Sequence, residues 1–426
     1  MSQPNLPSHW KLIPLGELSN IQSGGTPWRE KPEFYGGQIK WVKTLDLNEG
    51  IVTETEETIN ELGFQSIRGK LRPVNTVMVA MYGGAGTVGK SGVLGVPATT
   101  NQAVCCIEPN LDKFDSFYLL YHLIYLRPTW MREAIGTRKD PNISKGIIEN
   151  TKIPLPPLPE QRAIAHTLRT IQKAKEARQR ELELERERKA ALMQYLFTHG
   201  TRNEPRKETE LGDIPESWQV VKLGKVCKFL QYGTSKKCDL DSSGLPVLRI
   251  PNVIGGKIDT GDLKFVKLSS NEVESLMLNL GDLLFVRTNG RREYTGRCAV
   301  FSGELQEALF ASYLIRARLD TEHLLPEFAQ FYTMTYQGKK YLSERASSAS
   351  DGKFNINTQT IKSVLIPKPN IDEQGEIINA LQASDRKITA LEQEAVFLDE
   401  LFRAMLEELM TGRLSALSLV EEKAIA

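Results

Sequence analysis

The chain has little of what usually marks a catalytic, metal-binding or membrane protein. Its 426 residues include five cysteines (Cys105, Cys106, Cys227, Cys238 and Cys298) and five dispersed histidines. The cysteines are odd in number and form no C-x-x-C, so neither a disulfide framework nor a metal site is expected. A reduced, cytoplasmic setting is the simplest reading. No apolar run approaches the roughly 18–20 residues of a membrane span, and the start lacks the basic and apolar regions of a secretory signal. Excess charge is missing too: 54 Lys and Arg against 53 Asp and Glu leave +1. That balance neither supports nor excludes nucleic acid, because binding needs a local basic surface rather than a basic total. Catalytic signals are absent: no glycine-rich S-adenosylmethionine fingerprint, no paired carboxylates with a lysine, no nucleophile beside a base. Pro156-Pro157 lies in Leu-Pro-Pro-Leu, not in the Asn/Asp-Pro-Pro-aromatic loop of adenine methyltransferases. No catalytic residue is expected.

What is present is said twice. Leu6 to Trp10 followed by Leu15-Gly16 opens one half, and Ile214 to Trp218 followed by Leu223-Gly224 opens another, 208 positions on. Ile153-Pro154-Leu155-Pro156 with Glu160-Gln161 returns 213 positions later as Ile366-Pro367-Lys368-Pro369 with Glu373-Gln374. This period is far longer than a solenoid unit, so it marks a duplicated domain with a duplicated tail. Within each half the first part is rich in β-branched runs, Gly and Pro. Val74 to Ala80 and Leu280 to Arg287 read as buried strands, and the stretches 114–134 and 326–346 read as helix. The expected fold is α/β.

The tails differ from this. After Pro159 the chain runs to about Thr198 without Pro or Gly, and after Pro369 only Gly375 interrupts before Gly412. In the later tail, steps of four and three link Ile377, Leu381, Ser384, Ile388, Leu391, Ala395, Leu398, Phe402, Met405 and Leu409, a coiled-coil seam. The matching positions of the earlier tail are Ile164, Leu168, Ile171, Lys175, Arg178, Leu182, Glu185, Lys189, Leu192 and Leu196, apolar at the ends and charged in the middle. The earlier tail (160–200) has nine basic and six acidic residues, the later (371–413) four and ten. Opposite net charge favours pairing of the two helices with each other; the alternative is a long surface helix. An antiparallel pair would give pseudo-two-fold symmetry. The expected segments are 1–157 and 211–370 as duplicated α/β domains, 158–200 and 371–413 as long helices, 201–210 as linker and 414–426 as tail.

Gly84 to Ser91 fits the P-loop pattern G-x-x-x-x-G-K-[ST], but Gly92 to Pro97 is poor helix, and the second half lacks the pattern. Nucleotide binding is therefore the alternative, behind a glycine-rich hairpin that approaches DNA. Basic and aromatic residues recur in loops of both halves. Arg287, Asn289, Arg291, Arg292, Tyr294 and Arg297 follow a strand, with Tyr82 and Lys90 at the matching places. Lys43 aligns with Arg249, and Arg138-Lys139 and Lys353 precede the aligned Asn142 and Asn355. Arg bonds guanine in fork geometry, Asn reads adenine, and Lys and Arg also hold phosphates.

The doubled openings, the doubled Ile-Pro-x-Pro…Glu-Gln and the Thr99-Thr100-Asn101-Gln102-Ala103 segment resemble the specificity (S) subunits of type I restriction-modification enzymes, over essentially the whole chain. The resemblance implies two target recognition domains, each reading half of a split DNA site. It implies an antiparallel coiled coil that sets the spacer and docks two methyltransferase (M) subunits, with restriction (R) subunits joining them. It places S-adenosylmethionine, ATP and Mg in those partners, with no cofactor in this chain and no membrane role. A coiled-coil scaffold without DNA is the remaining alternative.

Overall fold

Each Ile-Pro-x-Pro segment is a short strand, Lys152–Leu155 in one half and Leu365–Lys368 in the other. Each pairs antiparallel with the strand that opens its half, Lys11–Pro14 and Gln219–Lys222. Proline is tolerated because both ribbons have only two strands and therefore free edges. Next to each ribbon the indole of the opening tryptophan donates to a carboxylate: Trp10 to Glu160 at 3.2 Å and Trp218 to Glu373 at 3.0 Å. The following glutamine, Gln161 or Gln374, accepts the backbone N–H of Asp115 or Leu325 and donates to the carbonyl of Pro156 or Pro369. All six side chains are buried. A buried carboxylate without donors is costly, so Trp and Glu-Gln recur together because each satisfies the other.

These contacts come from a computed structural model that describes residues 6–83, 86–135, 142–350 and 352–416. The two halves share one topology. In the first, a sheet has the order Ile21–Ser23, Val104–Ile107, Val77–Ala80, Ser91–Leu94, Ile51–Val52. In the second, the order Cys227–Tyr232, Leu314–Leu319, Leu283–Val286, Cys298–Val300 repeats its first four places. Val77–Ala80 and Leu283–Val286 are central and buried at every residue, which explains their unbroken apolar runs. A second sheet of three strands also repeats: Thr58–Ile59, Tyr35–Val42, Thr99–Thr100 against Lys264–Val266, Leu245–Leu248, Leu309–Phe310. Helix Ser116–Ile135 packs on the first half. Its counterpart is split into Pro326–Met334 and Tyr336–Glu344, because the Thr335 side chain accepts the Gly338 N–H and starts the second helix as an N-cap.

The long helices are Leu158–His199 and Ile371–Met410. The chain forms two compact units, Met1–Arg180 with Gln393–Ala426, and Glu181–Glu392. Each unit contains the start of its own long helix and the end of the other. In the first unit Ile164 and Leu168 meet Phe402, Met405, Leu406 and Leu409 beside Trp10. In the second Leu192, Leu196 and Phe197 meet Ile377, Ile378 and Leu381 beside Trp218. All seam positions of both helices are buried or half-buried, Leu182, Leu391 and Leu398 among them. The charged middle of the first helix is answered across the seam in antiparallel order. Lys175 bonds Asp399 and Arg178 bonds Glu394 in the first unit. In the second unit Lys189 holds both oxygens of Asp385 at 2.7 and 2.8 Å, and Lys387 approaches Glu185 at 3.5 Å. Arg188 bonds Glu185 as well and, with Lys387 behind it, keeps that carboxyl below its ordinary range. Polar seam residues specify partner and register more than they stabilise. Lys189→Glu should therefore lower the stability of the second unit by about 1 kcal/mol, and adding Asp385→Lys should restore most of it. Chemical denaturation of the single and double variants checks this, and no recovery in the double variant would remove the pair from the pairing code.

Candidate nucleic-acid interface

In the second unit the site grows from the end of a central strand. After Val286 the chain leaves the large sheet, and Thr288–Asn289 pairs antiparallel with Phe354–Asn355, which pairs in turn with Ser347–Ser348. The Asn289 side chain accepts the Arg291 N–H at 2.9 Å and turns the loop; a single 3₁₀ turn, Arg292–Tyr294, follows. The loop closes where Val286 N–H donates to the Arg297 carbonyl at 2.7 Å and Gly296 N–H to the Val286 carbonyl at 2.8 Å. Four guanidiniums lie over aromatic rings: Arg287 on Tyr232 at 4.8 Å, Arg291 on Tyr294 at 5.7 Å, Arg297 on the other contact of Tyr294 at 4.0 Å, and Arg292 on Phe354 at 4.8 Å. Arg287 also donates to the Ser312 carbonyl, and Arg297 to those of Glu293 and Ile254. Lys353 is exposed next to Phe354. The structure thus brings Arg287, Asn289, Arg291, Arg292, Tyr294, Arg297 and Lys353 to one edge.

The first unit builds the same edge with other side chains. Ala80 N–H donates to the Lys90 carbonyl at 2.8 Å and Gly89 N–H to the Ala80 carbonyl at 2.9 Å, so Lys90 occupies the place of Arg297. Gly89 and Gly296 share a left-handed backbone, φ +73° and +88°, that a side chain would strain. Tyr82 bridges Asn142 as Thr288 bridges Asn355. Ile143 N–H donates to Met81 as Ile356 N–H donates to Arg287. Arg138 and Lys139 lie outside the described residues. The P-loop alternative, of which Gly84 and Ala85 lie outside the described residues, is corrected here: Lys90 ends a turn and Ser91–Leu94 is a fully buried strand, so no helix terminus follows Lys90 to receive a phosphate.

Lys43 and Arg249 occupy matching places after strands, but both are engaged within the protein. Lys43 bonds Glu56 at 2.7 Å and Glu57 at 2.5 Å, and Arg249 bonds Asp262 at 2.9 Å. In each case a partner stands 13 positions further on, so the cation clasps the loop that follows it. The Arg29 guanidinium, and after it Lys43, hold the Glu57 carboxyl below its ordinary range. Other side chains at the first unit's edge were not singled out from the sequence. Thr26 donates to Gln102, which precedes the Ala103 carbonyl that accepts Met81 N–H. Trp28, 65% exposed, follows two residues on with Lys31 over its ring at 6.0 Å. An aromatic followed closely by two cations, Arg29 and Lys31, was the available signal. Among the described residues no group of three or more His, Cys, Asp or Glu could hold a metal ion, and no helix is long and apolar enough to cross a membrane.

Comparison with known proteins finds the same duplication in this chain. The family described as Type I restriction modification DNA specificity domain matches the chain twice, over residues 7–186 and 215–396. The chain is similar to the MjaVIII type I restriction enzyme specificity subunit of Methanocaldococcus jannaschii, 25% identical over 96% of this chain and 94% of the relative. It is also similar to the EcoKI specificity subunit of Escherichia coli strain K12, 25% identical over 98% of this chain and 91% of the relative. Its fold is similar to that of the type I restriction-modification S subunit from M. genitalium, with TM-score 0.60, 16% identity and coverage of 96% and 97%. A chain from a structure of type I restriction-modification system assembly gives TM-score 0.57, 18% identity and coverage of 96% and 100%.

Proposed function

The chain belongs to the family of type I restriction-modification specificity subunits, and on that premise we propose that each of its two units reads one half of a split double-stranded DNA site. It is the DNA-recognition component of such an enzyme, not a catalytic one. One observation supports the division of labour above others: the same loop edge occurs in both units, with the same backbone bonds and different side chains. Shared backbone with divergent side chains suits two readers of different base sequences. The paired long helices set the length of the unspecific spacer. Their outward faces dock two methyltransferase subunits, to which restriction subunits add. Val396, Phe397 and Leu401 are exposed apolar side chains on the second long helix and belong to that docking face. S-adenosylmethionine, ATP and Mg act in the partners, and the assembly works in the cytoplasm.

The test is co-purification of the full chain with the methyltransferase subunit of the same system, followed by mapping of methylated adenines by sequencing. A split motif with a fixed gap is expected. A contiguous motif, or a stable complex that methylates without sequence preference, would overturn the two-reader assignment.

A further inference from the structure

The edge of the second unit carries more chemical information than a positive patch. Arg291 and Arg292 are adjacent in sequence yet lean on different rings, Tyr294 and Phe354. The rings are themselves fixed, Phe354 by its strand pairing with Asn289 and Tyr294 by the 3₁₀ turn it ends. Both arginines are exposed, and neither guanidinium makes a hydrogen bond or ion pair to protein among the described residues. Their neighbours behave otherwise: Arg287 and Arg297 use donors on backbone carbonyls. Stacking uses the face of a guanidinium and leaves its N–H edge for another partner, while restricting the side chain before that partner arrives. Two such held forks suit a ligand with paired acceptors in one plane. On the major-groove edge of a base pair, only guanine offers that pair, N7 and O6.

Among the described residues of the first unit's edge, the matching places hold no such fork. Met81, Tyr82 and Lys90 stand where the second unit has Arg287, Thr288 and Arg297, with the Gln102 amide and Thr26 hydroxyl alongside. Lysine is a point charge without a fork.

We propose that Arg291 and Arg292 read guanine, so that the half-site bound by the second unit contains at least one G·C pair contacted through its guanine. The proposal rests on the DNA-reading function above. It is tested with the full chain in complex with its methyltransferase subunit, selecting from duplexes randomised in both half-sites and comparing wild type with Arg291→Lys and Arg292→Lys. Lysine keeps the charge and loses the fork. Each variant should melt like wild type but bind the selected duplex roughly tenfold or more weakly, because the lost fork contacts lie on its guanine. Its preference for guanine at one position of one half-site should fall roughly tenfold or more, with the other half-site unchanged. Three outcomes overturn the proposal while leaving the two-reader function intact: no G·C pair in either selected half-site, full guanine preference in both variants, or Arg→Ala variants that weaken all sequences equally and lower the salt slope by about one, the mark of phosphate contacts. A wild-type complex that selects no sequence overturns the function and this proposal together.

Discussion

Replacing Asp282 with alanine should cost the second unit about 3–5 kcal/mol. Asp282 is fully buried where the central strand Leu283–Val286 begins. Its carboxylate accepts two bonds of 2.7 Å from Arg318 and a third, at 2.8 Å, from the Asn279 N–H. Arg316, equally buried, stands 3.8 Å away between the rings of Phe229 and Phe310. Burial lowers the Arg316 guanidinium to about 10, with Asp282 opposing the shift. Arg316 also donates to the carbonyls of Met277 and Ser275 and to the Gln231 side chain. Taking away the carboxylate leaves a buried cation with dipoles but no counter-charge, and that is worse than never having had the pair. Chemical denaturation of the full chain reads the loss. A change below about 1 kcal/mol would mean that water or backbone dipoles alone carry the two arginines.

The first unit should be sensitive to acid through His122. This residue is buried in helix Ser116–Ile135 between Tyr118 and Tyr125, and neither ring nitrogen has a hydrogen-bond partner among the described residues. Burial lowers it to about 3. Because the folded value lies below the unfolded one of about 6.5, the neutral ring's contribution is complete above that pH. It is lost progressively as pH falls from there toward 3. At pH 5 the loss from this group is about 2 kcal/mol. His122→Phe removes both the titration and the two unsatisfied nitrogens. The difference in stability between pH 8 and pH 5 should shrink by that amount in the variant, and an unchanged difference would place the acid sensitivity elsewhere.

Much of the fold is legible from residue spacing. The doubled Trp and Glu-Gln are far apart in sequence but bonded in space, so their joint recurrence is a direct trace of one joint built twice. The seam is legible because its period is local and survives the substitution of Lys175, Arg178, Glu185 and Lys189 for apolar residues. What those charges do is not legible in one helix alone. Their partners Asp399, Glu394, Lys387 and Asp385 lie some 200 residues away, and antiparallel pairing decides who meets whom. Loop cations are hidden for a similar reason. Lys43 and Arg249 look like free surface charges until the following loop folds back its carboxylates. The loop arginines of the second unit are recognisable as a cluster, but only the strand pairing that delivers Phe354 shows which of them are stacked with open edges.

The division of the chain has a consequence for the order in which it is made. Residues 181–392 are contiguous, so the second unit has everything it needs once Glu392 has left the ribosome. The first unit does not, although most of its residues are synthesised first. Trp10, Ile164 and Leu168 wait for Leu406, Leu409 and Met410, which follow more than 200 residues later. Nascent domains usually close from the N-terminus onward. Here the closing turns of the second long helix complete the first unit, so a product that stops near residue 392 keeps a finished second unit and an unfinished first one.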